Sequence, residues 1–305
     1  MAEPDAETAA ISIRLRPVSR GVEPIVVVHG GASEWYSGTE PGRAACRRAA
    51  EAGYAALTAG GGALDAVIAA VRVVEDDPVC NAGTGAVLTS HGTLELDACV
   101  MDGISLASGA VAVLPPFRHP IDIARAVLED GRYHLLVGDG AAVFARTRGF
   151  TPCDPKLMIT PERRAEIEGR GRYDRGNTVG AVARDANGRL AAATSTGGIA
   201  GTEPGRVGDA PLVGGGTYAD EHAACSCTGD GEAFARACAA FWTVENVARG
   251  AQAVAELSVT RVLERFGGYG GLILLDKDGD VGIARSASAM PHAVARADGS
   301  VTDGD

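Results

Sequence analysis

The stretch GNTVGAVARDANGRLAAATSTGG at 176–198 decides the fold. Two apolar runs flank Asp185-Ala186-Asn187-Gly188, and an Asn-Gly pair between such runs marks a β-hairpin. With a loop of two to four residues, the numbers of paired residues sum to about 373–375. Thr178 then faces a position between Ser195 and Gly197, so Thr196 lands beside it in every register. Threonine is a good strand residue, and the pair alone carries little meaning.

What precedes the pair adds meaning. Residues 150–177 change character. TPCDPKLMITPERRAEIEGRGRYDRGN is polar, with prolines early and glycines late, and its end reads as an exposed linker. Thr178 follows it directly. A threonine hydroxyl is a weak nucleophile until a base activates it, and a free α-amino group, pKa about 7.7–8.0, can be that base. A chain cut before Thr178 would create the amine. The hydroxyl would attack the carbonyl of Asn177, and water would open the resulting ester. The glycine-rich approach permits the strained peptide this needs.

Further out, GLILLDKDGDVGIA at 271–284 repeats the hairpin design, and 231–249 and 252–266 read as helices. Upstream, Ile25 to Val28 is a short buried strand stopped by His29-Gly30-Gly31. Residues 42–59 and 63–76 have small apolar residues at helical spacing. Ala86 to Thr89, Leu94 to Met101 and Ala110 to Leu114 are strand-like, and 120–130 and 139–147 helical. Grouped strands and paired helices favour layered α/β packing over a βαβ ladder. No G-x-G-x-x-G follows a strand, and no G-x-x-x-x-G-K-[ST] occurs.

Composition narrows the function. The 305 residues include 28 Lys and Arg against 39 Asp and Glu, a net −11 that argues against a nucleic-acid partner. The seven cysteines contain no C-x-x-C and read as reduced thiols. No apolar run approaches the ~20 residues that span a bilayer, and the N-terminus lacks a secretory h-region. The expectation is a cytoplasmic protein, with residues 1–22 a flexible extension ahead of one domain at 23–305. Glycine, 42 of 305, is about twice its average usage, so it is either loop punctuation or close backbone approach.

Several blocks in a fixed order settle on a family. VVVHGGAS at 26–33, EDDPVCNAGTGAVLT at 75–89, ELDACVMDG at 95–103, the hairpin, PGRVGDAPLVGGGTYA at 204–219, CTGDGE at 227–232 and GGYGGLILLD at 267–276 cover about 25–290. Together they resemble the plant-type L-asparaginase and isoaspartyl peptidase family of N-terminal-nucleophile hydrolases. The resemblance implies a four-layer αββα sandwich, two mainly antiparallel sheets between helix layers. It implies self-cleavage between Asn177 and Thr178 into chains 1–177 and 178–305, paired as a homodimer of αβ units. Thr178 would be the nucleophile and Thr196 would orient it. Arg206 would hold the α-carboxylate and Asp209 the α-ammonium of a small-molecule or dipeptide substrate. A guanidinium fork suits a carboxylate. Thr228 and Gly229 would line the site and Gly231 leave room for close approach. Asn81 and Thr228 would supply oxyanion donors. No organic cofactor is implied. A structural sodium ion is, held by carbonyls of Val74, Glu75, Asp77, Cys80, Ala82 and Thr84.

Each residue has a plainer reading. Arg206 with Asp209 could be a surface pair, Asn81 a turn residue, and Thr228 or Asp230 a helix cap. Three places depart from the family pattern: Asn177 before the nucleophile, Ser33 where HGGAG ends in glycine, and SASAM at 286–290. A glycosylasparaginase-like enzyme of the same fold and an unprocessed binding protein are the rival readings.

Overall fold

The computed structural model describes residues 21–35, 38–169 and 178–305. The expectations placed on residues 1–20 and on Asn177 lie outside the described residues. The chain runs β1 (Ile25–His29), α1 (Glu40–Thr58), α2 (Ala63–Asp76), β2 (Leu96–Asp102), β3 (Ser108–Leu114), α3 (Pro120–Asp130), β4 (Leu135–Val137), α4 (Gly138–Thr147), α5 (Pro155–Met158) and α6 (Pro161–Ile167). From Thr178 it continues β5 (Val179–Arg184), β6 (Leu190–Thr196), β7 (Thr217–Ala219), β8 (Ala223–Gly229), α7 (Gly231–Ala237), α8 (Ala239–Glu245), α9 (Ala251–Phe266), β9 (Gly270–Asp276), β10 (Val281–Arg285), β11 (His292–Arg296) and β12 (Val301–Gly304).

Eight strands form one sheet in the order β12-β11-β1-β5-β6-β2-β3-β4, and four form the other, β10-β9-β8-β7. Among the described strands, β3 and β4 are the only pair in parallel. Three cores separate four layers. Val26 and Val28 of β1 pack outward on Ala49, Val67 and Val71 of α1 and α2. Ile25 and Val27, one residue out of phase, pack inward with Val182 and Leu190 against Ile273 and Leu275 of the second sheet. Leu272 and Leu274 face away, onto Val254 and Val262 of α9. The alternation follows from the period-2 geometry of strands. Both faces being covered explains why IVVVH and LILL read as unbroken apolar runs. The αββα sandwich expected from the resemblance is the fold observed.

The decisive hairpin has the expected register. Val179 pairs with Ser195 and Arg184 with Leu190. Asp185 Oδ1 accepts the amides of Asn187 and Arg189, which closes the turn.

Two elements differ from expectation. Residues 86–89 are not a strand. The Val87 amide donates to the Asn81 side chain, the Thr89 amide to Thr93 O, and Leu88 O accepts from Gly201, so local partners replace a ladder. The helix read over 231–249 breaks at Cys238, which lies at φ 46. The amides of Ala240 and Phe241 donate to Gly215 O and Gly214 O, satisfying the start of α8 outside the helix. The start of the 150–177 segment is anchored. Met158 is in the core, and the buried Arg163 donates from Nε to Gly85 O at 2.7 Å. Among the described residues no helix is long and apolar enough to cross a membrane.

Candidate active site

Thr178 and Thr196 meet at the linker end of the β5–β6 hairpin. Thr178 Oγ1 donates to Thr196 Oγ1 at 3.2 Å, and Thr196 Oγ1 also accepts the Gly198 amide at 3.0 Å. Both are buried. Gly197 has no room for a side chain: a Cβ there would lie 2.6 Å from Ala86 Cβ. The chain beyond β6 therefore turns tightly over the pair.

Asn81 clasps this turn. Its Nδ2 donates to Gly198 O at 2.8 Å, its Oδ1 accepts from Val87 N, and its own carbonyl accepts from Gly197 N. An amide NH₂ has two hydrogens, of which this bond uses one. Thr228 is fully buried at the end of β8, and its Oγ1 accepts the Ala32 amide at 3.1 Å. Neither Thr228 nor Asp230 caps α7 through its side chain. In the β1–β5 ladder His29 pairs with Gly180, which puts the following residues, Gly30 to Ala32, alongside Thr178. The same short loop thus touches both threonines' strands.

Arg206 and Asp209 flank Gly231. A Cβ on Gly231 would lie 2.8 Å from Arg206 Nη2 and 3.0 Å from Asp209 Oδ1. Arg206 Nε and Nη2 donate to the two carboxylate oxygens of Glu232, at 2.8 and 2.7 Å. That leaves Nη1 on the side of Gly198. Asp209 is 3% exposed, and its Oδ2 has no hydrogen-bond partner among the described residues. Burial pushes its pKa up to about 7, against the pull of its own amide and Arg206. A buried carboxylate with a spare oxygen suits a cationic group. Gly229, at φ 135, passes so close to β9 that a Cβ would meet Gly270 Cα at 2.4 Å.

One polar chain was not foreseen in the sequence. His29 Nε2 meets Ser226 Oγ at 2.9 Å, Ser226 Oγ meets Thr194 Oγ1 at 2.7 Å, and Thr217 Oγ1 bonds both Thr194 Oγ1 and Ala210 O. It crosses from one sheet to the other behind the threonines. Burial lowers the pKa of His29 to about 3, so the imidazole is neutral at physiological pH. The signal available was Gly180, whose missing side chain makes the space: a Cβ there would lie 2.0 Å from Ser226 Oγ and 2.7 Å from His29 Nε2.

The loop at 74–85 gathers carbonyls. Val74 O accepts from Asp77 N, Asp77 O from Cys80 N and Glu75 O from Thr84 N. Gly83 and Gly85 form a cradle that a Cβ would fill, 2.4 Å from Glu75 O at Gly83 and 2.7 Å from Cys80 O at Gly85. The set is oxygen-only, as a hard cation requires, and each carbonyl keeps a second lone pair. Ser33 and SASAM prove to be one contact. Ser33 and Ala289 exchange both backbone hydrogen bonds, at 3.0 and 3.1 Å, and Ser288 Oγ donates to Ser33 O.

Two facing sheets between helix layers, with paired threonines opening a central hairpin, make the sandwich of the N-terminal-nucleophile hydrolases. Within that class the chain belongs to the asparaginase family, whose model matches residues 22–177 and 168–302. It is 44% identical to the isoaspartyl peptidase of Salmonella typhimurium over 80% of this chain and 84% of that one. It is 39% identical to the human isoaspartyl peptidase/L-asparaginase, over 90% and 94% respectively. The Escherichia coli isoaspartyl peptidase is 43% identical over 80% and 82%.

Proposed function

We propose that the protein hydrolyses β-aspartyl amide bonds, in L-asparagine, isoaspartyl peptides or both, after cleaving itself before Thr178. The observation that carries this is the Thr178–Thr196 pair at 3.2 Å beside the half-partnered Asp209. The names of the relatives support the substrate class.

In processing, Thr178 Oγ1 attacks the Asn177 carbonyl carbon and displaces its own amide nitrogen. The hydroxyl proton passes to that nitrogen, which becomes the free Thr178 amine, and water then opens the ester, releasing the Asn177 carboxylate and restoring the Thr178 hydroxyl. In turnover that amine takes the hydroxyl proton as Oγ1 attacks the substrate's β-carbonyl. Arg206 Nη1 and Asp209 Oδ2 hold the α-carboxylate and α-ammonium, so only one carbonyl reaches the nucleophile. The spare hydrogen of Asn81 Nδ2 and the Thr228 hydroxyl stabilise the oxyanion, a donor of this kind contributing about 2.7–4 kcal/mol. The leaving amine departs with the proton. Water then hydrolyses the β-aspartyl ester of Thr178 and releases L-aspartate.

A sodium ion on the carbonyls of Val74, Glu75, Asp77, Cys80, Ala82 and Thr84 would stiffen the loop that carries Asn81. The glycine cradle supports that reading. The proposed state is a cytoplasmic homodimer of αβ units; mass photometry finding only single units would reject the dimer.

Intact mass spectrometry with a panel of β-aspartyl dipeptides tests the function. Fragments starting at Met1 and Thr178, with aspartate released, are expected. Thr178→Ala should stay uncut and inactive. Cleavage of that variant before position 178 would remove Thr178 as the nucleophile.

A further inference from the structure

The motif ELDACVMDG at 95–103 takes no part in the chemistry above, yet two of its three acids, Glu95 and Asp97, reach the loop that carries Arg206. Glu95 Oε2 accepts the Gly205 amide at 2.7 Å. Asp97 is 3% exposed and lies across β2–β6 from Thr196. Its Oδ1 accepts the Val113 amide at 2.8 Å. The Gly208 amide and the Arg206 guanidinium act on the same carboxylate.

The local backbone is built around Asp97. The β2–β3 ladder slips between Leu96 and Ala98, leaving Asp97 without a partner on β3. Val113 sits at φ 52, a strained conformation for a β-branched residue, and its amide points at the carboxylate instead of the ladder. An irregularity of this kind beside a site re-aims a side chain. Here it turns an acid out of the strand, towards the loop. Glu95 thus tethers the loop at Gly205, just before Arg206, while the Asp97 carboxylate, held by Val113, lies within reach of Gly208 and Arg206 on the other side.

We propose that Glu95 and Asp97 are positioning residues for substrate recognition. They hold the 205–208 loop so that Arg206 Nη1 and Asp209 Oδ2 stand beside Thr178 at the spacing of an amino-acid head group. The inference rests on the reading that Arg206 and Asp209 grip that group.

The test compares Asp97→Asn and Glu95→Gln with the wild type in two ways. Titration calorimetry with L-aspartate reads the grip without turnover, and steady-state kinetics on a β-aspartyl dipeptide separate KM from kcat. Loss of a supporting partner is expected to raise the L-aspartate Kd and the KM about ten-fold in Asp97→Asn and about three-fold in Glu95→Gln, with kcat within about two-fold. Unchanged Kd and KM in both variants, whatever their melting temperatures, overturn the proposal, as does a loss confined to kcat. Should Asp97→Asn fail to fold, Glu95→Gln, partly exposed, decides alone. A wild type that binds L-aspartate but turns over no dipeptide sinks the proposed activity and leaves the binding comparison standing. A wild type that binds no L-aspartate overturns the positioning role with it.

Discussion

Asp209 is an acid kept where water cannot compensate its charge. Its folded pKa of about 7 lies above the ordinary aspartate value of about 3.9. Between those values the folded protein holds a proton that the unfolded chain has released. Folding stability therefore falls as pH rises through that window, and the loss is complete above about pH 7. Asp209→Asn should melt several degrees higher than the wild type at pH 8 and about equally at pH 4, by scanning calorimetry. On the proposed reading that Asp209 holds the substrate ammonium, the same variant should lose about 100-fold or more in kcat/KM. Affinity for L-aspartate should weaken as pH drops below about 7, where Asp209 takes up its proton. Asp97, pushed to about 7 by burial, titrates in the same window, and the Asp97→Asn profile separates the two. Gly231→Ala places a methyl between Arg206 and Asp209 and should raise KM about ten-fold with little change in the far-ultraviolet spectrum. At this scale the sequence was only partly legible. The threonine pair followed from hairpin arithmetic, whereas Arg206, Asp209, Asn81 and Thr228 rested on the order of the blocks. Glu95, Asp97 and His29 escaped because acids and lone histidines are common. Their partners are also far away in sequence, Ser226 standing 197 residues from His29.

Among the elements, the β5–β6 hairpin was the easiest to read and is the most constrained. Its Asn-Gly turn set the register, and the register put Thr178 against Thr196. Gly180 shows how closely the two sheets approach. A methyl there meets Ser226 Oγ, His29 Nε2 and Ala193 O. Gly180→Ala should cost about 2 kcal/mol or more in urea unfolding. Paired with Ser226→Ala the losses should fall short of additive, since both act on one hydrogen-bond chain. Additive losses would mean that the chain is not what the glycine protects. β8 went unread because AACSCTG is made of small residues with no strand-like alternation. The break at Cys238 went unread because the carbonyls that permit it belong to Gly214 and Gly215, on another segment. The glycine excess divides along the same lines. Gly92, Gly131 and Gly149 serve open turns, while Gly180, Gly197, Gly229 and Gly231 are where another atom occupies the place of a side chain.

At the scale of the whole molecule, the strand order of the large sheet has a consequence for the cut chain. β1, β2, β3 and β4 precede Thr178 and β5, β6, β11 and β12 follow it, so β1 lies between β11 and β5, and β2 beside β6. If the chain is cut before Thr178 as proposed, the two fragments would be laced through one another by backbone hydrogen bonds, each lacking inner strands of its own sheet. They should travel together through size exclusion and melt in one transition, separating only on a denaturing gel. Two independent melts would contradict that lacing. The proposed cleavage would also change the order of the folding reaction. The uncut Thr178→Ala chain carries both halves on one tether and should refold from guanidinium with a yield that does not depend on dilution. A processed molecule, once unfolded, has to find its other half by diffusion, so its recovery should fall as the sample is diluted. A cut that arms the nucleophile would thus make the native state something the chain assembles once and, at low concentration, does not regain.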